Sequence, residues 1–377
     1  MASLALGVKF VPVSNGTADF VYSAAVQGYR SPTSALTDGK TYRYRAESSD
    51  MSEWEYGTGV WSSSTSTLTR ATVAFSSTGA KVSFTLAPQV GIIQFVEDVL
   101  QFDDAMSLTG SQKTRGQINL GVREVLTSDR TYSVATTGSD VTGDGTSGAP
   151  FATAQAALNA AAKIDFNGFT VTVQLADGTY TGNITIPRMT GQSGVGDLVI
   201  AGNASAKTNV VLNQSNSYGA VIAVPQGTAV TLRDFQVASS NNGYGFFNQG
   251  GVLYYSGIDF GACSGFHIFA EGGLTYQSGN CTISGDANCH WYSGAGGSYI
   301  KSQSRTITAS GTRNFAGGFA AFAQGGTITS NGNTFSGTYT GPRYTGTLGG
   351  TCQTFGGGAS YFPGSTAGST ATGAQYA

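Results

Sequence analysis

From residue 227 onward the chain offers four acidic side chains, Asp234, Asp259, Glu271 and Asp286, and no Asp or Glu comes after position 286. Hydrolysis of a glycosidic bond needs two carboxyl groups, about 5 Å apart for retention or about 6.5–9.5 Å apart for inversion. Asp259 and Glu271 are the pair such a reaction would use. The four acids fall at different phases of a repeat of about 22 residues, so stacking does not pair them, and solvated or turn-capping carboxylates are the expectation. A lyase would set a base beside a cation. Lys301, Arg305 and Arg313 are available, but no spacing singles one out. The sequence therefore assigns no catalytic residue, with Asp259 and Glu271 as the alternative.

His267 and His290 sit six and seven residues before two repeat glycines, which puts them at nearly equivalent places. A stacked polar or aromatic ladder is expected; proton transfer or metal ligation is the sharper reading, since imidazole suits both. Cys263, Cys281, Cys289 and Cys352 show no CxxC spacing and read as free buried thiols. A zinc site from Cys281, Cys289 and His290 is the weak alternative. Asp140 and Asp144 in SDVTGDG lack the later glutamate of a calcium-binding EF-hand loop. Turn carboxylates bound to nearby backbone N–H groups are expected there. No metal and no cofactor is assigned.

Aromatic side chains are the better candidates for binding. Sugar rings present apolar C–H faces that lie on aromatic faces, while polar neighbours take the hydroxyls. Trp291, Tyr292, Tyr299, Phe319 and Phe322 cluster in the distal repeats among Asn and Ser. They are the candidate carbohydrate-binding residues, set against burial in the repeat stack or in an interface between chains.

These residues need a scaffold, and the repeat supplies it. QGGVLYYSGIDFG, EGGLTYQSGNCTISG, AGGSYIKSQSRTITASG and QGGTITSNGNTFSG place the second glycine of each pair at 251, 273, 297 and 326. Short strands at a period near 22, separated by Gly and Asn turns, suit a right-handed parallel β-helix over residues 129–340. One rung cannot bury its inner face alone, so rungs stack at about 4.8 Å. Val252, Leu274 and Ile328 are expected to share one inward ladder, and Tyr254, Tyr276 and Ile300 another.

ATAQAALNAAAKI reads as a short helix with Ala154, Ala157, Leu158, Ala161 and Ile164 on one stripe. The first rung of a solenoid is an open edge that invites aggregation unless covered. The helix is expected to cap it. Upstream, TYRYRAE, WEYGTGVW, TLTRATVAF and KVSFTLAP are strand-like pieces that suggest a small β-sandwich or barrel over residues 1–96, with the sandwich preferred. Residues 97–128 read as a neck, with a short helix over 110–119, and 341–377 as a β-rich C-terminal tip.

Composition agrees with an all-β chain and excludes several functions. The 377 residues include 55 Gly, 18 Tyr and 21 Phe, and only 11% are charged. A net charge of −2 gives no basic footprint for nucleic acid. No apolar run is long enough to span a bilayer. MASLALGVKF lacks the basic start and long apolar stretch of a signal peptide, so synthesis in a bacterial cytoplasm without export is expected.

GSDVTGDGTSGAPFATAQAALNAA, with VTVQLADGTYTG after it, resembles the opening of pectate-lyase-like β-helix proteins as used in phage tail spikes. LTGSQKTRGQINLG resembles a stem motif of phage tail fibres. WEYGTGVWSSSTSTLTRATVAFSS resembles the virion-proximal domain of fibres from phages of alphaproteobacteria, and GPRYTGTLGGTCQTFGGGASYFPGSTAGSTATGAQYA is similar to the C-terminal region of phage and gene-transfer-agent spikes. The resemblance implies a homotrimeric spike or fibre on a virion or virus-like particle. It would be held to a head or tail protein through residues 1–96 and would adsorb to host capsule or another surface polysaccharide. Depolymerase activity and a purely structural spacer are the alternatives it leaves.

Overall fold

The computed structural model describes residues 5, 7–13, 15–94, 116 and 121–377. The chain forms two compact units, 1–109 and 110–377. The helix expected over 110–119 lies outside the described residues, apart from Gly116.

The first unit is an antiparallel sheet of strands Lys9–Pro12, Phe20–Ala25, Thr41–Glu47, Trp54–Ser62, Thr67–Leu68, Thr72–Ser76 and Gln89–Ile93. TYRYRAE alternates half-exposed and buried positions along its length, the period of a strand with one face on a core. Thr41–Glu47 pairs with both Gln89–Ile93 and Trp54–Ser62, so the sheet closes on itself. The unit is thus a barrel and not the preferred sandwich. Closure removes the free edges that an open sheet would leave.

Phe10, Phe20, Tyr44, Trp61 and Val90 fill its core. Inside it lies a fully buried ion pair, Arg70 with Glu55. Glu55 also accepts from the Tyr44 hydroxyl at 2.7 Å and the Val82 N–H at 2.9 Å, and Arg70 donates to the carbonyls of Gly16 and Val82. Burial alone would raise the Glu55 carboxyl, but the hydrogen bonds from Arg70, Tyr44 and Val82 outweigh it and hold it below its ordinary value.

The second unit is a parallel β-helix. Ten strands, from Arg130–Val134 to Gln375–Tyr376, stack in parallel as face one. A second, 13-stranded sheet carries two further columns. Face two runs through Gly178–Thr181, Val210–Gln214 and Gln236–Ser239. Face three runs through Ile184–Thr185, Ala220–Pro225, Tyr244–Gln249 and Ala287–Gly294. The long strands Asp259–Ala270 and Thr306–Ala323 bend across both columns. The coils are those of the parallel β-helix expected from the repeat. Residues 341–377 do not fold as a separate tip: Tyr344–Gly346, Thr351–Gln353 and Gln375–Tyr376 extend the same sheets.

The helix Ala154–Ala161 closes the first rungs as expected. Ala154, Ala157, Leu158 and Ala161 are buried, and Ile164 joins them from the next strand. Thr153 caps the helix by accepting from the Ala156 N–H. Asp140 fixes that end, accepting from the Ala152 and Thr153 N–H groups at 2.8 and 3.0 Å and from the Thr153 hydroxyl. Asp144 accepts from the Thr146 N–H at 2.9 Å. Both aspartates therefore serve turns.

The rung register differs from the expectation by one residue. Val252 pairs with Leu274, Tyr299, Thr327 and Thr351 in succession, at intervals of 22, 25, 28 and 24 residues. Ser298, not Gly297, takes the place equivalent to Gly273. The inward ladder is Val230, Leu253, Thr275, Ile300, Ile328 and Cys352. Val252, Leu274, Tyr254 and Tyr276 are half-exposed instead, and Ile300 and Ile328 stack together inside. A slip of one residue turns every side chain of a strand to the opposite face. Gly273 has φ +67°, and a Cβ there would run into the Gly251 backbone of the rung below, which is the physical reason for a glycine at this corner.

Candidate functional site

The five aromatic candidates separate. Trp291, Phe319 and Phe322 are completely buried. The Trp291 indole donates to the Tyr255 hydroxyl at 3.2 Å inside the solenoid and packs on Phe319 at 5.4 Å between ring centres. Phe322 packs against Tyr344. A sugar cannot reach any of these three rings, so their assignment to carbohydrate binding is corrected: they belong to the solenoid core. Tyr292 and Tyr299 are half-exposed, but on different faces.

Tyr292 belongs to face three. Ala223, Phe247, Phe269, Tyr292 and Ala321 stand in register on successive rungs. Phe247 and Phe269 stack at 4.7 Å, and Phe266 stacks on Tyr292 at 4.6 Å and on Tyr244 at 5.5 Å. This is a continuous half-exposed aromatic surface, with phenylalanine at its centre.

Tyr299 belongs to face one, where the outward columns are Val252, Leu274, Tyr299 and Tyr254, Tyr276, Lys301. Tyr254 and Tyr276 meet edge to face at 4.9 Å, and the Lys301 ammonium lies 5.5 Å from the centre of the Tyr276 ring. Among the described residues the hydroxyls of Tyr254, Tyr276 and Tyr299 have no hydrogen-bond partner. Each presents an apolar ring edge and a free polar tip, the combination that suits a sugar. Tyr254 and Tyr276 come at the same offset from the repeat glycines in GGVLYY and GGLTYQ. That offset is the signal in the sequence that marks them, and the inward parity expected for these positions conceals their exposure.

The alternative carboxylates do not form a pair. Asp259 is buried at the start of its strand, where Ser284 donates to it at 2.6 Å and Gln236 at 2.5 Å. Glu271 is exposed just beyond the other end of the strand Asp259–Ala270. At roughly 3.3 Å per residue, the length of this bent strand leaves the two far outside the separations that glycoside hydrolysis uses. Asp286 accepts from the Asn314 N–H and pairs with Arg313 at 3.6 Å, and Asp234 pairs with Arg233 at 3.3 Å.

His267 and His290 do meet, with Nδ1 atoms 3.0 Å apart in the closed core. His267 Nε2 lies 3.0 Å from the Gly261 carbonyl, which can only accept. His267 therefore carries its proton on Nε2, its Nδ1 accepts, and His290 donates from Nδ1. His290 Nε2 is then a bare lone pair, and among the described residues it has no partner. Phe260, Phe315 and Phe319 surround the pair. Burial pushes His267 down to about 3 and His290 well below its ordinary value. All four cysteines are free and buried, and burial pushes the Cys281 and Cys289 thiols up to about 12. Among the described residues no three His, Cys, Asp or Glu side chains gather as a metal site would require.

No family model matches the sequence, and no curated protein matches it. Among solved structures, a pectin methylesterase from carrot is similar with a TM-score of 0.39 and 13% identity, over 64% of this chain and 88% of that one. A likeness of that size carries no argument about activity, and the functional reading rests on this chain's own residues.

Proposed function

We propose that the chain is a spike or fibre of a phage or gene transfer agent that adsorbs the particle to a host surface polysaccharide. The observation that carries this reading is the set of outward tyrosines on consecutive rungs of face one, Tyr254 and Tyr276 in one column and Tyr299 in the column beside it, with hydroxyls free of partners among the described residues. Repetition along a stiff solenoid matches a ligand that is itself a repeating polymer. One such contact is weak, and linked copies raise avidity by about 10²–10⁴.

The particle end is residues 1–96, whose closed barrel differs in strand order and polarity from the solenoid. The assembly is a homotrimer, and the aromatic surface of face three packs between copies, since Phe247, Phe266 and Phe269 at its centre carry no polar tip. A cell-binding experiment tests the reading. Fluorescently labelled full-length protein should decorate capsulated host cells and fail to decorate isogenic cells lacking capsule. Equal labelling of both strains would contradict it.

A further inference from the structure

The ten strands of face one contain three charged residues, Arg130, Arg233 and Lys301, and no carboxylate at all. Arg130 is paired with Glu124 at 2.6 Å and Arg233 with Asp234 at 3.3 Å. Lys301 has no ion-pair partner among the described residues. It is the one uncompensated charge of the face among those residues, and it stands in register with Tyr276 and Tyr254.

Resting on the polysaccharide reading above, we infer that face one selects a carboxylate-bearing polysaccharide, with its acidic sugar held by Lys301 and the neighbouring rings carried by Tyr276 and Tyr254. The physical argument has three parts. A cation above a tyrosine ring loses part of its hydration but keeps its charge, and an incoming carboxylate meets it without displacing a protein partner. No acid on the surrounding strands repels that carboxylate. Successive rungs lie about 4.8 Å apart, close to the length of one sugar ring, so an extended chain running across the strands sets consecutive sugars on consecutive rungs. A nucleic acid also combines negative charge with stacking, but its backbone bears a charge on every unit and calls for several cations in a row. Face one offers one.

The experiment uses full-length protein and two acidic polymers, alginate and hyaluronan. Each is compared with its own carboxyl-reduced derivative by titration calorimetry at low salt. The expected result is at least tenfold weaker binding to the reduced forms. Lys301→Gln should bring the acidic polymer down to the level of its reduced form, and Lys301→Arg should restore the difference. Thermal unfolding of each variant should match the parent, because Lys301 is half-exposed and outside the core. Equal binding of acidic and reduced polymers, or a preference unchanged in Lys301→Gln, would overturn the selectivity while leaving polysaccharide adsorption standing. No binding to any of the four polymers would overturn the inference in this form, and the cell-labelling result would then decide the wider reading separately. Displacement of alginate by a single-stranded oligonucleotide, lost in Lys301→Gln, would also overturn it, in favour of a nucleic-acid partner.

Discussion

His267 and His290 share one proton across 3.0 Å in a core closed to water, and both are neutral there. Their folded values lie below the ordinary imidazole value near 6.5, so the unfolded chain binds more protons as the pH falls. The stability they contribute is complete above about pH 6.5 and is lost on acidification, down to about pH 3 for His267. Each histidine should cost about 1.4 kcal/mol per pH unit within that window. Denaturant unfolding between pH 7 and pH 4.5 should show this slope, and a His267→Phe/His290→Phe variant should lose most of it. An unchanged slope in the double variant would show that other groups control acid stability.

Glu55 and Arg70 give a second prediction, confined to the barrel. Each is the other's main compensation in a site that excludes water. Arg70→Met should leave a buried carboxylate and destabilise the unit by about 3–5 kcal/mol. Glu55→Gln combined with Arg70→Met should recover a large part, because no charge then remains buried. Calorimetric transitions of the two variants check this, and equal damage in both would mean that the loss comes from packing alone.

Trp291 and Tyr276 separate core from surface. Trp291→Ala removes a fully buried ring and should cost about 3–5 kcal/mol of solenoid stability. Tyr276→Ala, on the outward face, should leave unfolding nearly unchanged and weaken polysaccharide binding. The reverse pattern would move the binding surface away from face one.

Phe247 and Phe269 test the assembly. Light scattering of the full chain at micromolar concentration should give about three chain masses, and Phe247→Ser with Phe269→Ser should shift it toward one. A parent protein that runs as a monomer would contradict the trimer. A variant that stays trimeric would move the interface to another face.

The rungs, the cap helix and the near equivalence of the two histidines are legible because each is written as a local period: paired glycines, a small-residue stripe and a fixed offset from the turn. Parity is not. The strand after each glycine pair begins on an outward residue, and Ser298 adds one position in the third rung. Counting from the glycines therefore turns Tyr254 and Tyr276 inward and aligns Ile300 with them instead of with Thr275. Trp291, Phe319 and Phe322 lie on strands of face three, where the alternation is broken by bulges. No count from the glycines fixes their direction. The Glu55–Arg70 pair is illegible for another reason: its partners are 15 residues apart, and they meet only once Trp54–Ser62 pairs with Thr67–Leu68 and Thr72–Ser76, the strands on either side of Arg70.

The most direct test is the affinity of full-length protein for polysaccharide purified from the host surface, measured for the parent and for Tyr254→Ala/Tyr276→Ala. Two ring contacts on consecutive rungs should each contribute about 1 kcal/mol or more, so the double variant should bind at least tenfold more weakly at unchanged thermal stability. Binding by the double variant as tight as the parent's would contradict the claim that the outward tyrosines of face one hold the glycan.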